Sequence, residues 1–210
     1  PTYMKKLLLL AAVLISSAVM SAKETEVTAD NTVTKVMFYS PEIVRVVKTP
    51  AGTEGNTRES LVVTMTPQDG LKISRSENST SVTLKSSALT VKVDKKTGLV
   101  QFLAKGKNLL KEKAYGFEER TDGPDKGSYR TTIVYQLDKD EPIYGLGVTQ
   151  DGKLSHRGST HMNMEQNNTQ DYQHVIQSIK GWGIYWDNYS RSQFIDNEEG
   201  MKFSAEVGDD

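Results

Sequence analysis

Two strings of residues decide the fold: EPIYGLG at positions 141–147 and KGWGIYWDNYS at positions 180–190. In the first string, glycines flank Leu146, which is typical of a strand end where the backbone passes close to another segment. In the second string, small or aliphatic residues alternate with aromatic ones, the period-two pattern of a strand whose two faces differ. The polar residues between the strings lack helical apolar spacing. The stretch is therefore predicted to be a strand, a long exposed loop and a second strand.

Outward from this stretch, the chain consists of short segments rich in Val, Ile and Thr, separated by Gly, Pro, Asn and Asp. The clearest pair is 89–93 and 99–103, which the turn 94–98 joins in the pattern of a β-hairpin. The other predicted strands are 34–39, 42–48, 61–66, 71–75, 81–85, 115–120, 129–137, 193–195 and 201–206. No segment after residue 22 has the apolar spacing and caps of an amphipathic helix. This pattern predicts an all-β sandwich or barrel.

The composition excludes several classes of protein. A length of 210 residues allows one sizeable domain, and 36% hydrophobic with 25% charged residues is typical of a globular fold rather than a disordered chain. A formal net charge of -1 lacks the basic surplus of a nucleic-acid-binding surface, so we predict no nucleic-acid partner. The sequence has no cysteine, which excludes disulfides, thiolate metal sites, a cysteine nucleophile and a lipoprotein anchor within it.

The first 22 residues have the pattern of a secretory signal peptide. Two lysines form a basic start, a continuous apolar run follows, and small residues lead to a predicted cleavage near Ala22. The alternative, a membrane anchor, needs about 20 apolar residues, which is more than this run provides. We therefore predict a signal peptide over 1–22, a flexible lead over 23–33 and one domain over 34–210. The predicted location is secreted or periplasmic, with no membrane attachment after cleavage.

Histidine and serine residues near the central stretch do not form a recognisable catalytic or metal-binding motif. The three histidines lack the spacing of a zinc site, and we interpret them as exposed or hydrogen-bonded loop residues: His156, His161 and His174. Ser155 and Asp151 lie close to His156 in sequence, yet no nucleophile elbow accompanies them. A Ser-His-Asp triad is therefore not predicted.

Two carboxyl groups can act together in hydrolysis, one as acid and the other as nucleophile or base. The acids around the central stretch are scattered, and we interpret most of them as solvated strand ends or turn residues: Glu141, Asp151, Glu165, Asp171 and Asp187. Glu165 and Asp171 flank the polar run and are placed to reach a ligand bound beside it. Neither has a sequence context that marks a catalytic acid.

The stretch 141–190 as a whole resembles the N-terminal β-sandwich domain of glycoside hydrolase family 31, in particular its bacterial α-xylosidase and α-glucosidase branch. Segments 98–112 and 206–210 are similar to an early hairpin of that domain and to the lead-in to its last strand. The resemblance extends from about Thr34 onward. It implies an antiparallel, galactose-mutarotase-like β-sandwich.

In that family, the catalytic nucleophile and acid/base are aspartates on a (β/α)8 barrel that follows the sandwich. The resemblance therefore implies that 34–210 contains no catalytic residue and that the sequence stops before the barrel. We also expect no metal ligand and no cofactor site in these residues. The implied parent protein is a retaining α-glycosidase acting on oligosaccharides, either α-xylosides or α-glucosides. Its missing barrel is the implied partner of this domain.

The resemblance also implies a substrate-side role for the polar run, because a loop of the family's sandwich lines the sugar pocket. The matching positions are Gln166, Asn167, Asn168 and Thr169. Amides offer donors and acceptors that match sugar hydroxyls, whereas the alternative is that these residues simply suit a turn. Asn168 stands where many α-glucosidases of the family have aspartate, which favours a xyloside. Val148 also departs from the family, which often has Glu or Gln there.

We assign Tyr144, Trp182 and Trp186 to the interface with the missing barrel. Because 180–190 alternates, the alternative for the two tryptophans is the core of the sandwich. Two other functional classes stay open. One is a free-standing secreted carbohydrate-binding module. The other is a mutarotase-like epimerase, which needs a His and Glu acid/base pair that we do not find.

Overall fold

The computed structural model describes residues 24–55, 59–150, 152–159, 162–166, 168 and 170–208. These residues form 15 β-strands and no helix, which confirms the predicted all-β class. The first eight strands are β1 Glu24–Ala29, β2 Thr32–Phe38, β3 Val44–Pro50, β4 Ser74–Glu77, β5 Ser81–Lys85, β6 Thr90–Asp94, β7 Val100–Ala104 and β8 Lys107–Glu119. The remaining seven are β9 Tyr129–Gln136, β10 Ile143–Val148, β11 Met162–Met164, β12 Asp171–Ser178, β13 Gly183–Tyr185, β14 Ser192–Asn197 and β15 Gly200–Gly208.

The strands form three antiparallel sheets. The largest has nine strands in the order β11-β14-β15-β9-β8-β7-β6-β5-β4. The other two have three strands each, in the orders β1-β2-β3 and β10-β12-β13. The predicted hairpin of β6 and β7 is confirmed, with Gly98 in the left-handed region at a φ of 70°. In the described part of the chain, no helix is long and apolar enough to cross a membrane.

Each small sheet covers one half of the large sheet, and a separate apolar cluster lies under each. Under β1-β2-β3, Val36 and Phe38 pack with Leu84, Val91 and other residues of β5 to β7. Under β10-β12-β13, the cluster combines residues of β10 and β12 with residues of the large sheet: Ile143, Leu146, Ile176, Phe194, Met201 and Phe203. Because alternate residues of these strands face inward, burial of the two clusters holds the layers together as a sandwich.

One ion pair joins the two layers within the core. Lys48 of β3 lies 3.0 Å from Glu112 of β8, and both side chains are buried. The Lys48 ammonium also donates to Gly98 O at 2.6 Å and lies 4.5 Å from the centre of the Tyr115 ring. Glu112 accepts a further hydrogen bond from Val100 N at 2.8 Å. The pair therefore has hydrogen-bonding partners on both sides, which offset the cost of burying two charges.

Residues 24–29 form β1, so the prediction of a flexible lead over 23–33 is wrong for this segment. All six residues pair with β2, and Thr25, Val27 and Ala29 face the interior. Val27 is the one large apolar residue in the strand, so the segment is too polar to be recognised as a strand from its composition. The predicted signal peptide lies outside the described residues and stays a prediction.

Two other strand predictions are corrected. Residues 61–66 alternate like a strand but form none, and Leu61 and Val62 are exposed. The strand predicted at 71–75 is observed further along the chain, as β4 at Ser74–Glu77. Leu71 and Ile73 are nevertheless buried, as the alternation predicts. The prediction of a single long loop within 141–190 is also wrong, because two strands, β11 and β12, lie inside that range. β11 has only three residues, which is too short for its alternation to be recognised, and the alternation of β12 is hidden by glutamine and histidine.

Candidate functional site

The candidate site is the segment 162–172, which crosses from one layer of the sandwich to the other. Its first part, β11, pairs with β14 at the edge of the nine-stranded sheet. Its last part begins β12, which pairs with β10 in a small sheet. The polar run lies between these two anchors. Paired strands therefore hold both ends of this segment. Such a connection is typical of a binding loop.

Gln166 fastens this loop to the start of β12. Its amide Nε2 donates to Asp171 Oδ1 at 2.6 Å, and its Oε1 accepts from Tyr172 N at 3.0 Å. The side chain is nevertheless exposed. Asn168 is also exposed. The other two predicted substrate-binding residues, Asn167 and Thr169, lie outside the described residues.

The acids that flank the loop are engaged in contacts of their own. Glu165 forms a 2.9 Å ion pair with Arg191, and both side chains are about half exposed. Asp171 accepts the hydrogen bond from Gln166. Neither carboxyl group is buried, and no pairing of the two is seen. The loop therefore offers amide and carboxylate hydrogen-bonding groups rather than an acid and nucleophile pair.

A β-bulge in β10 sets where the loop begins. The register between β10 and β12 shifts between Gly145 and Gly147, so that Gly147 and Val148 oppose Tyr172 and Asp171 at the base of the loop. Gly147 has a φ of 92°, and a Cβ there would lie 1.9 Å from Asp171 O. Only glycine therefore allows the end of β10 to approach this closely.

Leu146, inside the bulge, has a φ of 60°, which is unusual for a residue with a branched side chain. Its side chain is fully buried in the core cluster. Burial of a leucine offsets the strain of its left-handed backbone, which costs of order 1–3 kcal/mol. The sequence pattern of glycines beside Leu146 correctly indicated a close approach, here between β10 and β12.

Glu141 anchors the start of β10, which corrects its interpretation as a solvated strand end. It is 3% exposed, and its Oε1 accepts hydrogen bonds from the Ser178 hydroxyl and from Trp182 Nε1. Its Oε2 lies 3.0 Å from Lys180 Nζ. Although burial acts to raise the pKa of Glu141, these hydrogen bonds hold that pKa below its usual value. The turn between β12 and β13 is thus fixed to the entry of β10.

The segment 152–159 is held against the same strand. His156 is buried and its Nε2 donates to Gly145 O at 2.9 Å, inside the bulge. Asp196 accepts from Arg157 Nε at 2.9 Å and from Gly158 N at 2.7 Å. Of these residues, the sequence singled out His156 alone, and it gave no indication of the contact. His156 thus has a structural contact, as the hydrogen-bonded interpretation predicted.

The three aromatic residues assigned to a domain interface have different positions. Trp182 is 8% exposed and belongs to the core cluster, and Trp186 stacks on Phe203 with ring centres 5.7 Å apart. Trp182 therefore has the core position that was the alternative and offers little surface to another domain, whereas Trp186 is partly buried against that core and its interface assignment stays a prediction. Tyr144 pairs with Gln177 on the outer face of its sheet and is half exposed. The assignment of Tyr144 to an interface stays a prediction.

The described residues contain no group of three or more His, Asp or Glu side chains arranged to hold a metal ion. Among the described residues, the site therefore combines Gln166 and Asn168 of the polar run with the glycine bulge that opposes the start of β12.

Residues 33–194 match the family model described as the glycosyl hydrolase 31 N-terminal galactose mutarotase-like domain. The chain belongs to this family. The match confirms both the resemblance to family 31 and the galactose-mutarotase-like architecture of the sandwich. The polar loop, the bulge and the aromatic stretch all lie within the matched residues, so the candidate site is part of the family 31 domain itself.

Solved family 31 enzymes have the same fold. An α-xylosidase from Xanthomonas citri has a TM-score of 0.73 at 24% identity, over 85% of this chain and 20% of its own. An α-xylosidase from a soil metagenome, solved with xylose, has a TM-score of 0.77 at 20% identity, over 90% of this chain and 30% of its own. A Flavobacterium johnsoniae dextranase, solved with glucose, has a TM-score of 0.69 at 24% identity, over 89% of this chain and 24% of its own.

The 210-residue chain thus spans between a fifth and a third of the length of these enzymes. At such identities the likeness establishes the fold and not the reaction. A comparison with curated proteins returned no match.

Proposed function

We propose that this chain is the N-terminal, non-catalytic sandwich of a retaining α-glycosidase that hydrolyses oligosaccharides. Its role is to hold the loop 166–169 at the mouth of a catalytic (β/α)8 barrel and to provide part of the interface with that barrel. The observation that carries this proposal is the family match over residues 33–194, which includes the whole loop and both of its anchors.

The loop geometry supports a substrate-side role. The segment is tied to β14 on one side and to β10 on the other, and Gln166 fastens its tip to β12. Asn168 is exposed at that tip. An amide held in place loses little conformational freedom when it binds a sugar hydroxyl, so more of the hydrogen-bond energy appears as affinity.

The contacts of its acidic side chains support the proposal that this domain is not catalytic. Glu141 is buried among donors that stabilise its charged form, and Glu165 is paired with Arg191. A glycosidase needs one carboxyl group that stays protonated beside another that is charged. The contacts of Glu141 favour its charged form, and Glu165 is held in an ion pair, which supports catalytic groups located elsewhere in the parent protein.

The proposed substrates are α-xylosides or α-glucosides. Two of the related structures are named α-xylosidases and one is a dextranase complexed with glucose. Within this chain, Asn168 in place of the aspartate of many α-glucosidases favours the xyloside. The signal-peptide pattern of residues 1–22 supports a secreted or periplasmic location for the parent protein.

The test is an assay of the purified 210-residue chain beside the product of its full open reading frame, with nitrophenyl α-xyloside and nitrophenyl α-glucoside as substrates. We expect hydrolysis by the longer protein and none above blank by the 210-residue chain. Release of nitrophenol by the 210-residue chain would show that the sandwich contains its own catalytic groups. Tight sugar binding by the 210-residue chain, with an inactive longer product, would instead identify a carbohydrate-binding module.

A further inference from the structure

His156 bonds to β10 at two places. Its backbone N donates to Ile143 O at 3.0 Å, and its side-chain Nε2 donates to Gly145 O at 2.9 Å. Carbonyl groups two residues apart in a strand point to the same side. Because β10 is an edge strand whose other side pairs with β12, His156 takes the place of a neighbouring strand on the open side.

The imidazole of His156 acts as a hydrogen-bond donor. Because Gly145 O can only accept, Nε2 carries the hydrogen and Nδ1 is left as an acceptor. Nδ1 is buried and has no hydrogen-bond partner among the described residues. A buried polar atom without a partner is unfavourable, and an apolar ring would pack in the same place without that cost. The histidine therefore contributes through its Nε2–H rather than through packing.

This hydrogen bond ends where the backbone of β10 leaves the ordinary strand conformation. Gly145, Leu146 and Gly147 have φ values of 125°, 60° and 92°. Leucine rarely adopts a positive φ and keeps it only when the surrounding contacts fix it. Burial of Leu146 is one such contact. The bond from His156 to Gly145 O is another, and it fixes the peptide group directly before Leu146.

The same place marks a change of register between β10 and β12. Gly145 lies opposite Ile176. Gly147, two residues further on, lies opposite Tyr172, which is four residues away from Ile176 along β12. If the first register continued, Gly147 would instead lie opposite His174. The difference is two residues of β12, or about 7 Å along the strand.

The shifted register supports the polar loop. Gln166 bonds to Asp171 Oδ1 and to Tyr172 N. Val148 and Gly147 oppose these same two residues of β12. In the unshifted register, β10 would end two residues short of this base. Irregularities of this kind are common beside functional sites, where they change the direction of side chains.

His156 is in turn held by β14. Asp196 of β14 accepts from Arg157 Nε at 2.9 Å and from Gly158 N at 2.7 Å. The His156 ring meets Phe194 of the same strand edge-on, with ring centres 6.4 Å apart. β14 also pairs with β11, the other anchor of the loop. One strand of the large sheet therefore positions both ends of the loop.

We propose that His156 is a positioning residue, whose hydrogen bond from Nε2 to Gly145 O selects the shifted register of β10 and so places the base of the polar loop. This inference deepens the proposed function and rests on it for the ligand of the loop, an α-glycosidic oligosaccharide. Without the hydrogen bond, Gly145 O lacks a donor and β10 continues in its first register. The loop then loses its support at Asp171 and Tyr172.

The test is NMR spectroscopy of the 210-residue chain with three substitutions of His156. His156→Phe keeps a ring and removes the donor. His156→Gln places an amide N–H close to the position of Nε2, whereas the shorter side chain of His156→Asn ends near the position of Nδ1. Nuclear Overhauser effects between Gly147 and Tyr172 report the shifted register, and those between Gly147 and His174 report the unshifted one.

We expect the unsubstituted chain and His156→Gln to show the contact of Gly147 with Tyr172. His156→Phe and His156→Asn should lose this contact and show Gly147 with His174 instead. The internal control is the pairing of Tyr144 with Gln177, which precedes the shift and should be the same in all four proteins.

Two results would overturn the inference. One is the native register in His156→Phe. The other is the same behaviour of His156→Gln and His156→Asn, which decides the question even if His156→Phe does not fold. Loss of the fold in both amide variants counts as this second result, because only the glutamine supplies the hydrogen bond.

Kinetics on the product of the full open reading frame separate this inference from the proposed function. With a nitrophenyl α-glycoside, we expect His156→Phe to raise KM at least about 10-fold with a smaller change in kcat, and His156→Gln to stay within about 3-fold of the unsubstituted enzyme. An enzyme that hydrolyses no α-glycoside would overturn the proposed function and leave the register result in force. An active enzyme whose register is native in His156→Phe would overturn the role of His156 alone.

Discussion

Lys48 and Glu112 face each other at 3.0 Å in the core, one on each layer of the sandwich. Burial lowers the pKa of Lys48 and raises the pKa of Glu112, and the attraction between the two groups offsets only part of each effect. Burial of the two charges thus costs free energy, and the attraction of each charge for the other offsets part of that cost. The ion pair also contributes to holding β3 on the large sheet.

Replacement of Lys48 by methionine should destabilise the domain by about 3–5 kcal/mol, because Glu112 is left buried without its cation. The double variant Lys48→Met, Glu112→Leu should recover most of this loss, since no charge is then buried. Urea unfolding followed by circular dichroism measures both values. The control is Lys35→Met, which removes a partly exposed ion pair with Glu24 and should cost less than about 1 kcal/mol. If Lys48→Met and Lys35→Met lower the free energy of unfolding equally, the buried ion pair contributes no more to stability than the partly exposed one.

Gly147→Ala should destabilise the domain by about 2–5 kcal/mol, because alanine is strained at a φ of 92° and its Cβ would overlap Asp171 O. The matched control is Gly116→Ala in β8, where a Cβ meets nothing within 4 Å and φ is not in the left-handed region. That variant should keep its stability or gain up to about 1 kcal/mol. Thermal unfolding of the two variants compares them directly, and an unaffected Gly147→Ala would contradict the close approach of β10 to β12.

Glu141 should make the domain sensitive to acid. A carboxyl group whose folded pKa lies below its unfolded value, here near 4.5, contributes stability above that value and loses the contribution as the pH falls through the folded pKa. Glu141→Gln should therefore cost about 1–3 kcal/mol at neutral pH and progressively less as the pH falls below about 4.5. Urea unfolding at several pH values tests this against Glu26→Gln, an exposed control on β1. A pH-independent difference would mean that the carboxylate is not stabilised by its donors.

Asn168→Ala should raise the KM of the parent glycosidase by roughly 3- to 10-fold, the effect of losing one hydrogen bond of about 0.5–1.5 kcal/mol, with a smaller change in kcat. The 210-residue chain with the same substitution should unfold like the unsubstituted chain, because Asn168 is exposed. Ser79→Ala, in an exposed turn remote along the chain, is the kinetic control. An unchanged KM for Asn168→Ala would remove this residue from the substrate pocket.

The fold class was predictable because most strands of the large sheet alternate clearly. In β6, Val91 and Val93 are buried while Lys92 is exposed, and the turn with Gly98 marks the hairpin. β1 and β12 were missed because their buried positions include threonine in β1 and serine in β12, so their alternation is not one of apolar and polar residues. The opposite error occurred at 61–66, where residues 63–66 alternate apolar and polar side chains but form no strand, and Leu61 and Val62 are exposed.

The site was only partly predictable, for a related reason. The glycines of β10 indicate a close approach from sequence alone, and the structure identifies the partner as Asp171 at the base of the loop. The burial of Glu141 depends on Ser178, Lys180 and Trp182, which lie 37 to 41 residues away along the chain. Local sequence patterns carry no information about such contacts, since they arise only when β10 and β12 pair.

The central claim is that this domain serves a catalytic barrel in the same polypeptide, and the most direct measurement is to sequence the gene beyond the codon for Asp210. The account predicts an open reading frame of at least about 250 further codons, the size of a (β/α)8 barrel, with two catalytic aspartates. A stop codon immediately after Asp210 would contradict the account and would make the sandwich a protein that works alone.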